Sequence, residues 1–255
     1  MTLELRSARS LTSGERVELF NAAYEGYVVP FRLDEAMLAF MDNAFDIDLD
    51  ASRVAYRDGE PVGLANLGVR GEDAWIGGVG VTSSARRSGI GEVLMRALHE
   101  QAEELGVRQV WLEVIVENRA AFALYEKLGY RTIRDVELWT LPAAEGELSG
   151  REVPAAEAKA LIGEQREPWQ RADATLANYD DVSGLVTDTG AMLFCNRSAA
   201  QLQQYTGEPE PLIRALRTFK DVYVLNLPDD DPAAAVIRDL GGSVTVRQHE
   251  MRLEL

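Results

Sequence analysis

Arg86-Arg87-Ser88-Gly89-Ile90-Gly91-Glu92 is the stretch on which the reading of this chain turns. An apolar run ends just before it at Val81, and an amphipathic run with Val93, Leu94, Ala97, Leu98 and Leu105 follows. The segment therefore reads as a loop joining a strand to a helix. A helix start exposes amides with no internal partner and carries partial positive charge. Glycines let an anion approach that backbone with no Cβ in the way. With Arg86 and Arg87 adjoining, the loop has the chemistry of a diphosphate cradle. Alone, it also fits an ordinary glycine turn before a helix. Two nucleotide-binding patterns are excluded: Leu94 stands where a dinucleotide fingerprint needs its third glycine, and no Gly-Lys-Ser/Thr occurs.

Working outward, Leu3 and Leu5 open a first strand. Thr12-Ser13-Gly14-Glu15 has capping-box spacing ahead of a helical run through Val17, Phe20 and Tyr24. A second helical run, Met37, Leu38, Phe40 and Met41, starts after Asp34. Residues 53–57 and 61–69 read as strands joined through Asp58-Gly59, a hairpin signal because both residues tolerate positive φ. A third strand over 74–81 completes a meander. After the glycine loop come a long helix, a strand over 107–116, a helix over 119–128 and a strand over 132–141. This order predicts an α/β (α+β) fold, a mixed, mostly antiparallel sheet flanked by helices.

Bulk composition narrows the function. The chain has 255 residues, 46% hydrophobic and 27% charged, the balance of a globular protein. No apolar run approaches the roughly 18 residues of a membrane span, and MTLELRSARS lacks a signal-peptide core. Cys195 is the single cysteine, so no internal disulfide forms; these features predict a cytoplasmic location. A net charge of −16 argues against nucleic-acid partners. His99 and His249 are far apart in sequence and suggest no metal site.

A second motif changes the weight of the first. Val81-x4-Arg86-x2-Gly89-x-Gly91 is followed, about thirty residues on, by Asn118-x2-Ala121-x2-Leu124-Tyr125-Glu126-Lys127-Leu128-Gly129-Tyr130. The pair, in this order and context, resembles the cofactor motifs of the GNAT acetyltransferases over roughly residues 2–141. The resemblance implies acetyl-CoA as cosubstrate and no metal. It implies that Val79 and Val81 offer backbone to pantetheine where two strands part. The segment Arg86, Arg87, Ser88, Gly89, Ile90, Gly91 and Glu92 would hold the pyrophosphate, and Asn118 would face the cofactor. Asn118 also sits where a helix N-cap belongs. Tyr125 matches the tyrosine that protonates the departing thiolate; a phenol, with ordinary pKa about 10, is protonated at neutral pH. An aromatic on a short helix is otherwise core. Glu113, among Trp111, Leu112, Val114 and Ile115, is the candidate base, or else a paired strand carboxylate. Trp75 stands where some relatives place a base on the fourth strand.

Residues 142–152 have linker composition, which divides the chain into a catalytic domain, 1–142, and an accessory domain, 153–255. The second half carries a weak repeat of the first. Leu240-Gly241 aligns with Leu128-Gly129, Ala233 with Ala121, and Arg214-Ala215-Leu216 echoes Arg96-Ala97-Leu98. Ile237 falls at the Tyr125 place and Asp230 at the Asn118 place, and no Arg-x-x-Gly-x-Gly recurs. The reading is a degenerate GNAT-like copy, or an unrelated α/β domain, that binds no acetyl-CoA. The expected function is acetyl transfer to an amine, with a small-molecule amine as acceptor. In the family it resembles, this first helical region walls the acceptor pocket, where Tyr24, Tyr27, Phe31, Phe40 and Phe45, interleaved with acids, would suit a cation; taken singly, most of these aromatics read as core and the acids as solvated surface. A protein lysine or N-terminus, or a non-catalytic acyl-CoA sensor, are the alternatives.

Overall fold

The computed structural model describes residues 2–146 and 149–255. The chain divides into two compact units: the residues up to Ile133 together with Glu250–Leu255, and Arg134–His249. The linker-like stretch 142–152 therefore lies within the second unit, and its residues 147–148 are outside the described ones. The units divide earlier because strand pairing continues through residue 141.

In chain order, the first unit contains β1 (Leu3–Ser7), α1 (Ser13–Ala23), α2 (Glu35–Ala44), β2 (Arg53–Arg57), β3 (Glu60–Arg70), β4 (Asp73–Val81), α3 (Ile90–Glu104), β5 (Gln109–Ile115) and α4 (Arg119–Lys127). Next comes β6 (Arg131–Leu141). The second unit continues with β7 (Arg151–Pro154), α5 (Ala155–Ile162), α6 (Asp173–Ala177), β8 (Val182–Val186), β9 (Gly190–Asn196), β10 (Ala200–Gly207), α7 (Pro209–Leu216), β11 (Val222–Pro228) and α8 (Pro232–Asp239). Strand β12 (Ser243–Glu254) ends the chain, its last residues counting with the first unit.

The first unit orders its strands β1-β2-β3-β4-β5-β12. The meander β1–β4 is antiparallel, closed between β2 and β3 by Asp58 at φ 51° and Gly59 at φ 92°. Helix α1 starts in the expected capping box, Thr12 with Glu15, and Asp34 caps α2 by accepting from the Met37 amide. Arg16, 4% exposed, grips Asp42 through both guanidinium nitrogens at 2.6 and 2.9 Å and ties the two helices together. Leu19, Phe20, Ala23, Leu38, Val54 and Leu64 pack beneath them. A separate core, with Leu94, Leu98, Val110, Leu112, Val114 and Tyr125, joins α3 and α4 to the sheet. Alternation along β5 follows: Val110, Leu112 and Val114 pack with α3 and α4, while Trp111 and Glu113 point to the other face.

The second unit orders its strands β12-β6-β11-β10-β9-β8-β7, around Trp139, Phe194, Leu202, Leu216, Val224 and Ile237. Its element order repeats that of the first unit, including a short parallel pair, β10 with β11, flanking α7. Helix α8 is capped by Asp231, one residue beyond the position aligned from sequence, because α8 is one residue shorter than α4.

Candidate acetyl-CoA site

Strands β4 and β5 run parallel for three residue pairs, Asp73 with Gln109, Ala74 with Val110 and Trp75 with Trp111. Beyond Trp75 and Trp111 they part. A bulge on β4 helps to turn them away from each other: against β3 the register slips between Ala65↔Val79 and Leu67↔Ile76, so that Gly77 and Gly78 together oppose the single residue Asn66. Gly78 has φ 130°, a conformation open to glycine, and a Cβ there would stand 2.8 Å from the Tyr24 hydroxyl oxygen. Past the bulge, Val79 and Val81 pair with β3 on one edge, and their pairing with β5 is over. Their backbone lines a gap between two strands.

Helix α3 starts at the end of this gap. Its N-cap, Gly89, is left-handed at φ 83°, and no side chain caps the helix. Arg87 is also left-handed at φ 62°. Left-handed residues just ahead of an uncapped helix start are of the kind from which anion nests are built. A Cβ on Gly89 would meet nothing within 4 Å, so glycine is demanded there by φ alone. Gly91 comes near α4: a Cβ on it would lie 3.7 Å from the Leu124 side chain.

Three side chains of the loop, those of Arg86, Ser88 and Glu92, are engaged elsewhere. The Arg86 guanidinium donates to the carbonyls of Val81 (3.1 Å), Ala23 (2.9 Å) and Glu25 (2.7 Å), fastening the end of α1 to the end of β4. Ser88 donates to the Ala85 carbonyl at 2.6 Å and accepts from Arg57 at 2.7 Å. Glu92 pairs with Arg96 and Lys127, linking α3 to α4, and both partners hold its carboxyl below the ordinary range. The Arg87 side chain beside this backbone is exposed. Asn118 caps α4 by accepting from the Ala121 amide at 3.3 Å.

Tyr125 emerges from α4 in the α3–α4 core with 9% exposure. Burial, with Tyr27 nearby, raises its pKa above the ordinary phenol value. Tyr24 is affected in the same direction by burial, Tyr27 and Tyr125, against the lowering effect of a hydrogen bond with the Val79 backbone. The Tyr24 and Tyr27 rings meet edge-on with centroids 5.0 Å apart. Sequence reasoning placed Tyr24 and Tyr27 only on an acceptor wall; the Gly77-Gly78 doublet inside a strand was the signal for a bulge that a side chain from α1 packs against. Glu113, half-buried, accepts from the Trp75 indole at 2.8 Å on the face opposite the α3–α4 core. A hollow of about 930 Å³ lies outside α1 and the loop after it, lined by Glu18, Tyr24, Glu25, Tyr27, Phe31 and Glu35 among others.

Residues 17–130 match the family model described as Acetyltransferase (GNAT) family. Residues 17–130 thus form a GNAT acetyltransferase domain within this chain. Its 65-residue match to the [ribosomal protein bS18]-alanine N-acetyltransferase of Escherichia coli (strain K12) is 40% identical and covers 25% of this chain and 44% of that protein. The whole chain resembles solved structures: a GCN5-related N-acetyltransferase from Sphaerobacter thermophilus, at TM-score 0.71 and 18% identity, covering 99% of this chain and 95% of the other. A tandem GNAT protein from the clavulanic acid biosynthesis pathway gives TM-score 0.70 at 16% identity, covering 99% and 98%. At such identities the likeness concerns fold alone, and that fold is of the mixed, tandem kind read from the sequence. Among the described residues there is no group of three or more His, Cys, Asp or Glu placed to hold a metal, and no helix long and apolar enough to cross a membrane.

The second unit has a corresponding gap and fills it. Strands β10 and β11 pair only from Ala200↔Val222 to Leu202↔Val224, and β10 bulges at Gln203 against β9. Arg171, fully buried, donates to the Gln203 carbonyl at 2.6 Å on one strand and the Asn226 carbonyl at 3.3 Å on the other. Gln204 donates back to the Arg171 carbonyl, and Asn226 to the Gln170 side chain. Glu167 pairs with Arg171 at 3.2 Å; burial nevertheless raises its pKa. Nothing in the sequence pattern marked Arg171, since only the parted strands give it a place.

Proposed function

We propose that the first unit transfers the acetyl group of acetyl-CoA directly to a primary amine. The observation that carries this reading is the conjunction of the parted β4–β5 pair with the uncapped, left-handed start of α3. A thioester arm needs backbone partners along a narrow slot, and a pyrophosphate needs free amides at its end; both occur here in sequence. Val79 and Val81 would hold the arm, the amides from Arg87 to Glu92 the pyrophosphate, and Asn118 would face the cosubstrate while capping α4.

Acetyl-CoA supplies the activated acetyl group. A neutral amine attacks such a thioester without a covalent enzyme nucleophile, so orientation and proton handling are what this chain must provide. Glu113 accepts the proton of the attacking amine, directly or through water. Tyr125 donates its proton to the departing thiolate; burial, by raising its pKa, keeps the proton available. A backbone amide near Val81 stabilises the developing negative charge on the carbonyl oxygen.

The named substrate of the bS18 relatives is an alanine of a ribosomal protein, which favours a peptide α-amine as acceptor. A small-molecule amine is the second reading, favoured by the acidic and aromatic lining of the hollow beside α1. For the second unit, the filling of its gap by Arg171 supports a degenerate copy that binds no acyl-CoA, with residues 1–142 carrying the catalytic machinery and 153–255 accessory to it. The test is thiol release from acetyl-CoA with an alanine-initiated peptide, the same peptide with a blocked amine, and an aliphatic polyamine. Turnover with a free amine supports the reading, and the preferred acceptor chooses between its two forms. Binding of acetyl-CoA without turnover on any amine overturns it in favour of a sensor.

A further inference from the structure

The surroundings of Glu113 point to a residue that governs it. On one side, β4 brings the Trp75 indole N–H within 2.8 Å of the Glu113 Oε2. On the other, β12 lies next to β5, with the Leu255 amide donating to the Arg108 carbonyl at 3.0 Å and the Arg252 guanidinium 5.3 Å from the centre of the Trp111 ring. Those two contacts set an antiparallel register in which Glu250, 3% exposed, stands opposite Glu113. The charged groups that this register brings beside Glu113 include Glu250 and, one position along the same face, Arg252; Asp73 lies farther back on β4 and accepts from the Trp111 indole at 3.2 Å. A hydrogen bond donated to a carboxylate favours its ionised form.

The indole is itself tightly placed. Its ring packs edge-on against Phe45 with centroids 5.3 Å apart, and Trp75 is 6% exposed. Gly77 makes room for it: a Cβ at that position would lie 2.5 Å from the ring. The glycine that starts the β4 bulge therefore also admits the indole that reaches Glu113.

We propose that Trp75 is a positioning residue for the base: its N–H aims the Glu113 carboxylate and holds it in the proton-accepting form at the mouth of the β4–β5 gap. This rests on Glu113 being the proton acceptor. The position at which some relatives carry a base is here occupied by the residue that orients one on the next strand.

The test is the pH profile of kcat for the wild-type chain, Trp75→Phe and Glu113→Gln, with acetyl-CoA affinity measured alongside. Trp75→Phe keeps a ring against Phe45 and removes the N–H. The acid limb is expected to move up by about one pH unit, with the plateau rate largely recovered at higher pH and acetyl-CoA affinity unchanged. A structural role alone would lower the rate equally at every pH, and that result would overturn the proposal. A second readout needs no turnover: the Trp75 indole proton resonance, assigned in the wild type through its ring's contact with Phe45, should titrate with the kinetic limb. It should not titrate in Glu113→Gln. Absence of that difference overturns the proposal even where Trp75→Phe fails to fold. If Glu113→Gln keeps the acid limb, the assignment of Glu113 as base falls, and with it the role of Trp75; a limb lost in Glu113→Gln but unmoved in Trp75→Phe sinks only the latter.

Discussion

Replacing Tyr125 with phenylalanine separates catalysis from packing at one atom. The ring belongs to the core formed by Leu94, Leu98, Leu112, Val114 and Tyr130, and phenylalanine leaves those contacts in place. Removal of the hydroxyl should therefore change the melting temperature by no more than a few degrees. Its effect on rate is that of losing a positioned general acid, about 10² to 10⁴-fold, or roughly 3 to 5 kcal/mol on the barrier. Because burial raises the Tyr125 pKa above its ordinary value, the hydroxyl stays protonated across any practical assay range. Wild-type kcat should accordingly show no alkaline fall assignable to this group below pH 10. The assay is thiol release under saturating acetyl-CoA and amine, with acetyl-CoA affinity measured independently. A Tyr125→Phe rate within threefold of wild type, at unchanged affinity, would refute the assignment of Tyr125 as the acid.

Three further outcomes follow from particular contacts. Asp42→Ala leaves the Arg16 guanidinium buried without its partner and should cost about 3 kcal/mol of stability by denaturant unfolding, far more than removal of the exposed pair Arg9–Asp50. His99, which meets the Tyr130 hydroxyl at 2.9 Å, has its pKa lowered by burial and Arg96 to about 4. A depressed histidine pKa means that the unfolded state takes up the proton first, so stability should fall as pH drops from 6.5 towards 4, by up to about 3 kcal/mol, and His99→Gln should flatten that decline. Arg171→Ala should destabilise the second unit, visible as earlier loss of its hydrogen-exchange protection, because the Gln203 and Asn226 carbonyls lose their donor.

Local signals in the sequence carried most of the first unit. The Thr12–Glu15 box, the Asp34 cap and the Asp58-Gly59 turn each act within a few residues, and each lies where its spacing places it. The glycine loop between strand and helix was legible for the same reason, whereas the three carbonyls that Arg86 bonds, those of Val81, Ala23 and Glu25, were not. What could not be read were contacts made by distant segments. Trp75 and Glu113 are 38 residues apart, and only the parting of β4 and β5 gives the indole its acceptor. In the second unit, β7 to β10 are short strands without clear alternation, and the register that assembles them is a tertiary property. Arg171 lies in a brief 3₁₀ turn, Trp169–Arg171, whose position is set by the two strands it bridges.

Titration calorimetry of acetyl-CoA into the full chain tests the central claim most directly. The account predicts one site per chain, abolished by bulky replacement of Gly89 together with Gly91 and untouched by Arg171→Ala. Two sites would contradict the filled second gap, and no binding at millimolar ligand would contradict the cradle itself.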